Sequence, residues 1–295
     1  MQRLSYKVIE KLIGARVTSA EVSLLIYMSR YQDYGGTVRG VYYKEACAAV
    51  GITYPTFYEA LRGLRDKGLI DYVKDSYTDY DVKIIDNDFS AFAEEDYQSG
   101  EVKYVSTAHT VFADPRFHAF RSREKLLVLE LMKITGAKNG SYIIGTKNFY
   151  SKYEKLLGVT ARVLRSYLHT LKTFFSIGIK DFKYFFTQLK ATHKKTGGSS
   201  ERRQLYIHYI TALIRREKLT ADKDKIADMA DTMSQYSTEI ASAYNGKEDK
   251  IFNIFTRAVM RSIELANDLT KPRSRWNRNI NVKFVHKQFV NLINA

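Results

Sequence analysis

The 295-residue chain has little of what secreted and membrane-spanning proteins need. Its single cysteine, Cys47, cannot form an internal disulfide, which favours a reducing, intracellular setting. No apolar run approaches the roughly 20 residues that span a bilayer, and the most apolar stretch, residues 126–132, is interrupted by Glu130. The first residues also lack the uninterrupted apolar core of a signal peptide. We therefore predict a cytoplasmic protein with no membrane partner.

Sequence motifs for catalysis and cofactor binding are lacking as well. No glycine-rich loop has the spacing of a nucleotide-binding site. The six histidines show no metal-ligand spacing with a carboxylate, and one cysteine excludes a cysteine zinc site. A Ser/His/Asp triad assembles in space rather than in sequence, but nothing indicates one here. We expect no catalytic residue, no metal, no cofactor and no enzymatic activity.

What the sequence does have is positive charge, concentrated in one segment. The chain carries 47 Lys and Arg against 32 Asp and Glu, a net charge of +15. Residues 116–200 hold 17 basic and four acidic side chains, whereas residues 1–90 hold 12 of each. A concentrated surplus predicts a docking face for a polyanion, with nucleic acid the first choice. The alternative is a well-solvated basic module without a partner.

A weak internal repeat relates two parts of the chain at an offset of 107 residues. Residues 51–70 align with residues 158–177, and glycines, threonines and apolar residues match. The matched pairs include Gly51 with Gly158, Thr53 with Thr160, Phe57 with Leu164, Leu61 with Leu168, Leu64 with Leu171 and Ile70 with Ile177. We interpret the two segments as copies of one module.

Both copies have the same predicted order of elements. In the first copy, capping signals and apolar periodicity predict helices over 18–31, 44–50 and from Pro55 to about residue 67, with strands over 38–42, 69–74 and 81–85. In the second copy they predict helices over 122–134, 147–157 and 160–172, a strand over 141–145, and a hairpin over 174–186 that turns near Gly178 or Asp181.

This order resembles that of winged helix-turn-helix proteins. The resemblance is carried by the turn Gly51-Ile52-Thr53, by the amphipathic helix after it, and by the exit of that helix into a strand at residues 64–70. The second copy departs from the pattern where Phe174 and the next residue replace the lysine and glycine that end the first helix. The resemblance implies a mainly α fold with small β-hairpin wings: two winged-helix modules plus a helical C-terminal region.

Charge and composition divide the chain into five predicted segments. A first winged-helix module covers 1–90 and a second, strongly basic one covers 116–190, joined by an acidic connector over 91–115. A polar, Gly- and Ser-rich linker over 191–204 precedes a helical region over 205–295. Within that region, residues 271–295 carry six basic side chains and no acidic one and are predicted to form a basic arm. A solvated tail with Trp276 in the core is the alternative to this arm.

A helix-turn-helix presents the outer face of its third helix to the DNA major groove. In the second copy the predicted contacts are Thr160, Arg162, Arg165, Ser166, His169 and Lys172, with Lys180 and Lys183 from the wing. In the first copy they are Thr53, Tyr54, Thr56, Tyr58, Arg62 and Arg65, and the basic arm adds Arg273, Arg275 and Arg278. Arg162 and Arg165 are the best candidates for guanine edges, and short hydroxyls beside free backbone amides suit phosphates. The alternative is two solvated helix faces.

The two modules are not expected to contribute equally. The first has no net charge, and its predicted wing tip, residues 75–81, is acidic at Asp75, Asp79 and Asp81. Phosphate would be repelled there. We expect the second module to bind DNA more strongly, while the first contacts DNA weakly or mediates a homodimer or another protein contact.

Two such modules followed by basic, helical sequence are similar to Rep-type plasmid replication initiators. That resemblance implies sequence-specific binding of double-stranded DNA at direct repeats, in the bacterial cytoplasm or nucleoid, and recruitment of replication proteins. A transcriptional regulator, either repressor or activator, of a phage or mobile element is the alternative. A DNA-binding adaptor in segregation or conjugation is a further one. RNA binding is less favoured because most of the aromatic residues fall on apolar faces.

Overall fold

A computed structural model describes residues 2–74, 79–108, 110–137, 140–189, 198–236, 248–268 and 278–294. Over these ranges helices predominate, and the strands form three small antiparallel sheets. The predicted mainly α fold with small sheets is therefore confirmed at this level.

The first repeat follows a short N-terminal strand and helix. The strand is β1 (Arg3–Ser5) and the helix is α1 (Tyr6–Gly14). The repeat itself consists of α2 (Ser19–Ser29), β2 (Thr37–Tyr42), α3 (Tyr43–Val50), α4 (Tyr54–Asp66), β3 (Ile70–Val73) and β4 (Asp79–Ile84). Local signals set the boundaries: Thr18 and Glu21 form a capping box at the start of α2, and Gly51 ends α3 with a φ of 69°. Strands β2, β4 and β3 form one sheet in that spatial order.

The acidic connector is structured and contributes to the core. It contains α5 (Glu94–Gln98), β5 (Tyr104–Ser106), a 3₁₀ turn (Thr110–Ala113) and α6 (Pro115–Ala119). β5 pairs with β1, and Val105, Val111 and Phe112 are buried. The sequence predicts only a connection here, because its apolar residues lie on elements too short to show periodicity.

The second repeat has the same order of elements as the first. They are α7 (Ser122–Ala137), β6 (Ser141–Gly145), α8 (Thr146–Leu157), α9 (Ala161–Leu171), β7 (Phe175–Lys180) and β8 (Lys183–Gln188), with sheet order β6, β8, β7. The hairpin turns at Asp181, while Gly178 lies within a strand. Gly158 ends α8 with a φ of 64°, 107 residues after its counterpart at the end of α3. The offset seen in sequence is thus kept in the backbone.

Helices α2 and α7 pack together between the two repeats. Every residue over 21–29 and over 124–132 is buried, and side chains of both repeats belong to one hydrophobic cluster. A helix covered on all sides carries apolar residues around its circumference, so neither helix shows a one-sided pattern. The two repeats therefore share a core instead of forming separate units on a linker.

A buried lysine crosses the contact between α2 and α7. The Nζ of Lys125 donates to the hydroxyls of Ser19 (2.7 Å) and Ser23 (2.6 Å) and to the carbonyl oxygens of Ser19 (3.1 Å) and His118 (2.8 Å). These oxygen partners are uncharged, so burial lowers the pKa of Lys125 to about 8. Burial also lowers the pKa of His118 below 6.5.

Replacing Lys125 with methionine is expected to change how stability depends on pH. The unfolded chain binds more protons than the folded chain between pH of about 8 and 10.5, so the free energy of unfolding should rise across this window. In the wild type this rise in the free energy of unfolding should amount to about 2–3 kcal/mol, and in the variant it should be missing. Urea unfolding measured from about pH 7.5 to 10 tests the difference. The exposed Lys172, replaced with methionine, is the control. Parallel pH profiles for wild type and Lys125→Met would contradict the assignment.

The C-terminal region forms its own helical core. It comprises α10 (Gly198–Arg216), α11 (Lys223–Gln235), α12 (Glu248–Asp268) and α13 (Val282–Ile293). Two predictions are wrong here. Residues 198–204, assigned to a linker, belong to α10, and residues 282–293, assigned to a basic arm, form α13 with Val285 and Phe289 buried. No helix within the described ranges is long and apolar enough to cross a membrane.

Candidate nucleic-acid interface

Helix α9 separates an apolar inner face from a basic outer one. Leu164, Tyr167, Leu168 and Leu171 are buried in the shared core, which turns the other side of the helix outward. All the residues predicted there are exposed: Thr160, Arg162, Arg165, Ser166, His169 and Lys172. Within the part of the chain that the structure describes, neither arginine lies within 4 Å of a carboxylate, and Arg165 lies 5.6 Å from the Tyr150 ring centre.

The few acidic side chains of this basic segment are mostly turned inward. Buried Glu124 accepts a hydrogen bond from the hydroxyl of Thr170, and buried Glu130 pairs with Lys133 (3.0 Å) and Lys152 (3.7 Å). Of the four acids over 116–200, only Asp181 at the hairpin turn is exposed. The outer surface around α9 therefore carries cations with little opposing charge.

The fourth acid of the segment is Glu154, which lies on α8 and whose carboxylate caps the start of α9. Its Oε1 accepts a hydrogen bond of 2.5 Å from the backbone N–H of Ala161. The sequence predicts free backbone amides at this helix start that suit phosphate, and for Ala161 that prediction is wrong. A carboxylate at a helix N-terminus stabilises the helix but repels an approaching phosphate.

If α9 contacts DNA as the sequence predicts, replacing Glu154 with glutamine should raise the affinity for DNA. The amide oxygen keeps the hydrogen bond to Ala161 while the negative charge is removed, so binding should tighten about two- to fivefold and stability should fall by about 0.3–1 kcal/mol. Fluorescence anisotropy at constant salt and urea unfolding measure the two effects. The same change at exposed Glu264, on α12, is the control. Equal affinities for wild type and Glu154→Gln would exclude α9 from the contact.

The hairpin beside α9 presents two lysines and an exposed aromatic ring. Lys180 and Lys183 face each other across the strands and are exposed, as predicted from sequence. Between them, Asp181 and Phe182 have φ values of 49° and 58°. The carbonyl oxygen of Phe182 accepts a hydrogen bond from the N–H of Thr146 (2.8 Å), which fixes the turn to the start of α8. Phe182 is not among the contacts predicted from sequence, although an aromatic residue in a two-residue turn is a visible signal.

The corresponding face of the first repeat is lined by tyrosines. Thr53, Tyr54, Arg62 and Arg65 are exposed, while Thr56 and Tyr58 are half-buried. Edge-to-face contacts join the Tyr54 ring to Tyr58 (4.7 Å) and to its neighbours, and Arg65 lies 4.7 Å from the Tyr72 ring centre. The rings in mutual contact are Tyr42, Tyr43, Tyr54, Tyr58, Tyr72 and Tyr80. This face is amphipathic, whereas the α9 face is basic.

The first repeat was predicted to expose three aspartates at the tip of its wing, and for two of them this prediction is wrong. Asp79 is fully buried in β4, where Arg216 of α10 donates to it (2.9 Å) and to Asp81 (2.5 Å). Arg215 lies 3.5 Å from Asp79. These carboxylates hold the C-terminal region against the first repeat and do not face solvent as a repulsive tip. Asp75 lies outside the described residues.

Further polar contacts surround this ion network. Arg39 pairs with Asp81 (3.2 Å) and Arg215 with Glu45 (3.1 Å). His208 of α10 donates from Nε2 to the carbonyl oxygen of Arg39 (2.6 Å) and stacks on the Tyr31 ring. Helix α10 is thereby fixed across β2 and α3.

Of the three arginines predicted to contact DNA from the basic arm, the structure describes Arg278, while Arg273 and Arg275 lie outside the described residues. Arg278 is exposed, but its carbonyl oxygen accepts from the N–H of Thr220 (2.9 Å) and its guanidinium donates to the carbonyl oxygen of Lys218 (3.3 Å). This part of the predicted arm is tied to the loop between α10 and α11.

Comparison of the chain with protein-family models, curated proteins and solved structures found no match. Among the described side chains, no group of three or more His, Cys, Asp or Glu is placed to hold a metal ion.

Proposed function

We propose that this chain binds double-stranded DNA sequence-specifically, mainly through α9 and the β7–β8 hairpin. The observation that carries the proposal is the segregation of charge in the second repeat. Arg162, Arg165, Lys172, Lys180 and Lys183 point outward from α9 and the β7–β8 hairpin, and α8 adds exposed lysines. Three of the four acids of this repeat are used in internal contacts. A solvated surface has no need of this arrangement, since mixed charges serve solubility equally well.

The shared order of elements supports two winged helix-turn-helix modules on one chain. In each repeat a strand, two helices joined at a left-handed glycine and a hairpin follow a central helix. In such a module the third helix enters the major groove, which is about 12 Å wide and admits one helix. Arg162 and Arg165, three residues apart on one face of α9, would then read base edges, with Lys172 on phosphate.

The first module would have a different role. Its tyrosine-lined face and its attachment to the C-terminal region suit a protein contact, including a second copy of this chain, or a weaker DNA contact. Unequal modules of this kind fit a replication initiator of a plasmid, phage or mobile element in the bacterial cytoplasm or nucleoid. A transcriptional regulator is the second candidate and a segregation or conjugation adaptor the third. None of these roles requires enzymatic activity from this chain.

Selection of bound duplexes from a random library tests the proposal. At about 0.15 M salt nonspecific attraction is suppressed, so a specific protein should enrich one motif. Tandem direct repeats of that motif would favour an initiator, and an inverted repeat would favour a dimeric regulator. Failure to enrich any motif would overturn sequence-specific binding.

A further inference from the structure

The tip of the β7–β8 hairpin carries a side chain that folding alone does not explain. Phe182 is 87% exposed and has a φ of 58°, in the left-handed region that bulky residues disfavour. Among the described non-glycine residues with positive φ, the others are Asp86, Asp181 and Lys218, which are polar. An exposed ring in a disfavoured conformation stabilises neither the turn nor the core, so its presence indicates a partner.

The tip is held in a fixed position. Strands β7 and β8 pair along their full length, and the Phe182 carbonyl is bonded to the start of α8. Ile179, 66% exposed, adds a second apolar side chain. Lys180 and Lys183 flank the turn, and within the described chain neither lies within 4 Å of a carboxylate. The turn also holds the exposed carboxylate of Asp181, so the tip combines one apolar ring, two cations and one anion. The cations outnumber the anion, and together with the ring they complement a polyanion that has an apolar interior.

We propose that Phe182 is a wedge that enters the base stack of bound duplex DNA, while Lys180 and Lys183 hold the adjacent phosphates. This inference rests on the proposed function and extends it, because a wedge would bend the DNA next to the α9 site. Side chains that enter the stack bend a duplex by about 20–90° towards the major groove. Stacking on a base would also add affinity that does not depend on salt.

The experiment uses the full chain and the duplex recovered by selection, with 2-aminopurine placed at successive steps beside the motif and fluorophores at both ends. Phe182→Asn removes the ring but suits the left-handed turn, so it should be at least as stable as wild type. Phe182→Trp keeps the wedge. Phe92→Asn, at another exposed phenylalanine, is the matched control.

Wild type and Phe182→Trp should brighten one 2-aminopurine step and shorten the end-to-end distance. Phe182→Asn should lose both signals and bind about tenfold more weakly, with Phe92→Asn unchanged. If Phe182→Asn binds, bends and unstacks the duplex as wild type does, the wedge is refuted while DNA binding stands. If wild type binds no duplex, both proposals fail. A blue shift of the added tryptophan with phosphatidylglycerol vesicles, but not with DNA, would assign the tip to a membrane surface and overturn the wedge.

Discussion

Replacing Arg162 and Arg165 together with alanine is expected to weaken binding to the selected duplex by about two to four orders of magnitude. Each arginine in a bidentate contact with a guanine contributes about 1–3 kcal/mol of base discrimination. Both side chains are exposed on α9, so their truncation should leave the fold intact. Titrations with specific and scrambled duplexes separate the lost base contacts from lost charge, because the scrambled duplex should lose far less.

The matched control is the double variant of Arg62 and Arg65 on α4. These arginines are also exposed, but the repeat that holds them has no net charge, and Arg65 packs against Tyr72. The affinity of this double variant for the duplex should therefore fall by about tenfold or less. Equal losses for the two double variants would contradict the proposed asymmetry between the modules.

Replacing Asp79 with alanine is expected to give the largest loss of stability. The change leaves Arg216 and its neighbour Arg215 in a buried site without their central carboxylate. Breaking a buried ion pair by removing one partner costs about 3–5 kcal/mol. Urea unfolding followed by circular dichroism measures the loss.

Asp66→Ala is the control for this prediction. Asp66 lies 4.0 Å from Arg65 at the surface, so its removal should change the free energy of unfolding by about 0.5 kcal/mol or less. A loss below about 1 kcal/mol for Asp79→Ala would mean that the network does not hold α10 in place. Binding of DNA by the Asp79 variant tests in addition whether the C-terminal region is needed for recognition.

The sequence by itself determined the local elements of both repeats. Capping residues, the left-handed glycines at 51 and 158 and helical spacing of apolar residues act within a few positions, so their effects could be read directly. The same spacing fixed which residues of α4 and α9 face outward. The excess of cations in the second repeat was also a property of composition.

Only the tertiary structure decided which partners the acidic side chains contact and how the two repeats pack together. Arg216 pairs with Asp79 across 137 residues of sequence, and no local pattern records such a contact. Gly40 shows the same limit: its φ of 70° and its contact with Ala212 reflect the close approach of α10 to β2. The central helices α2 and α7 are covered on every side, so their sequences do not show which face meets which partner. Short-range interactions are encoded in neighbouring residues, whereas pairing across the chain depends on which surfaces remain to be buried once those elements have formed.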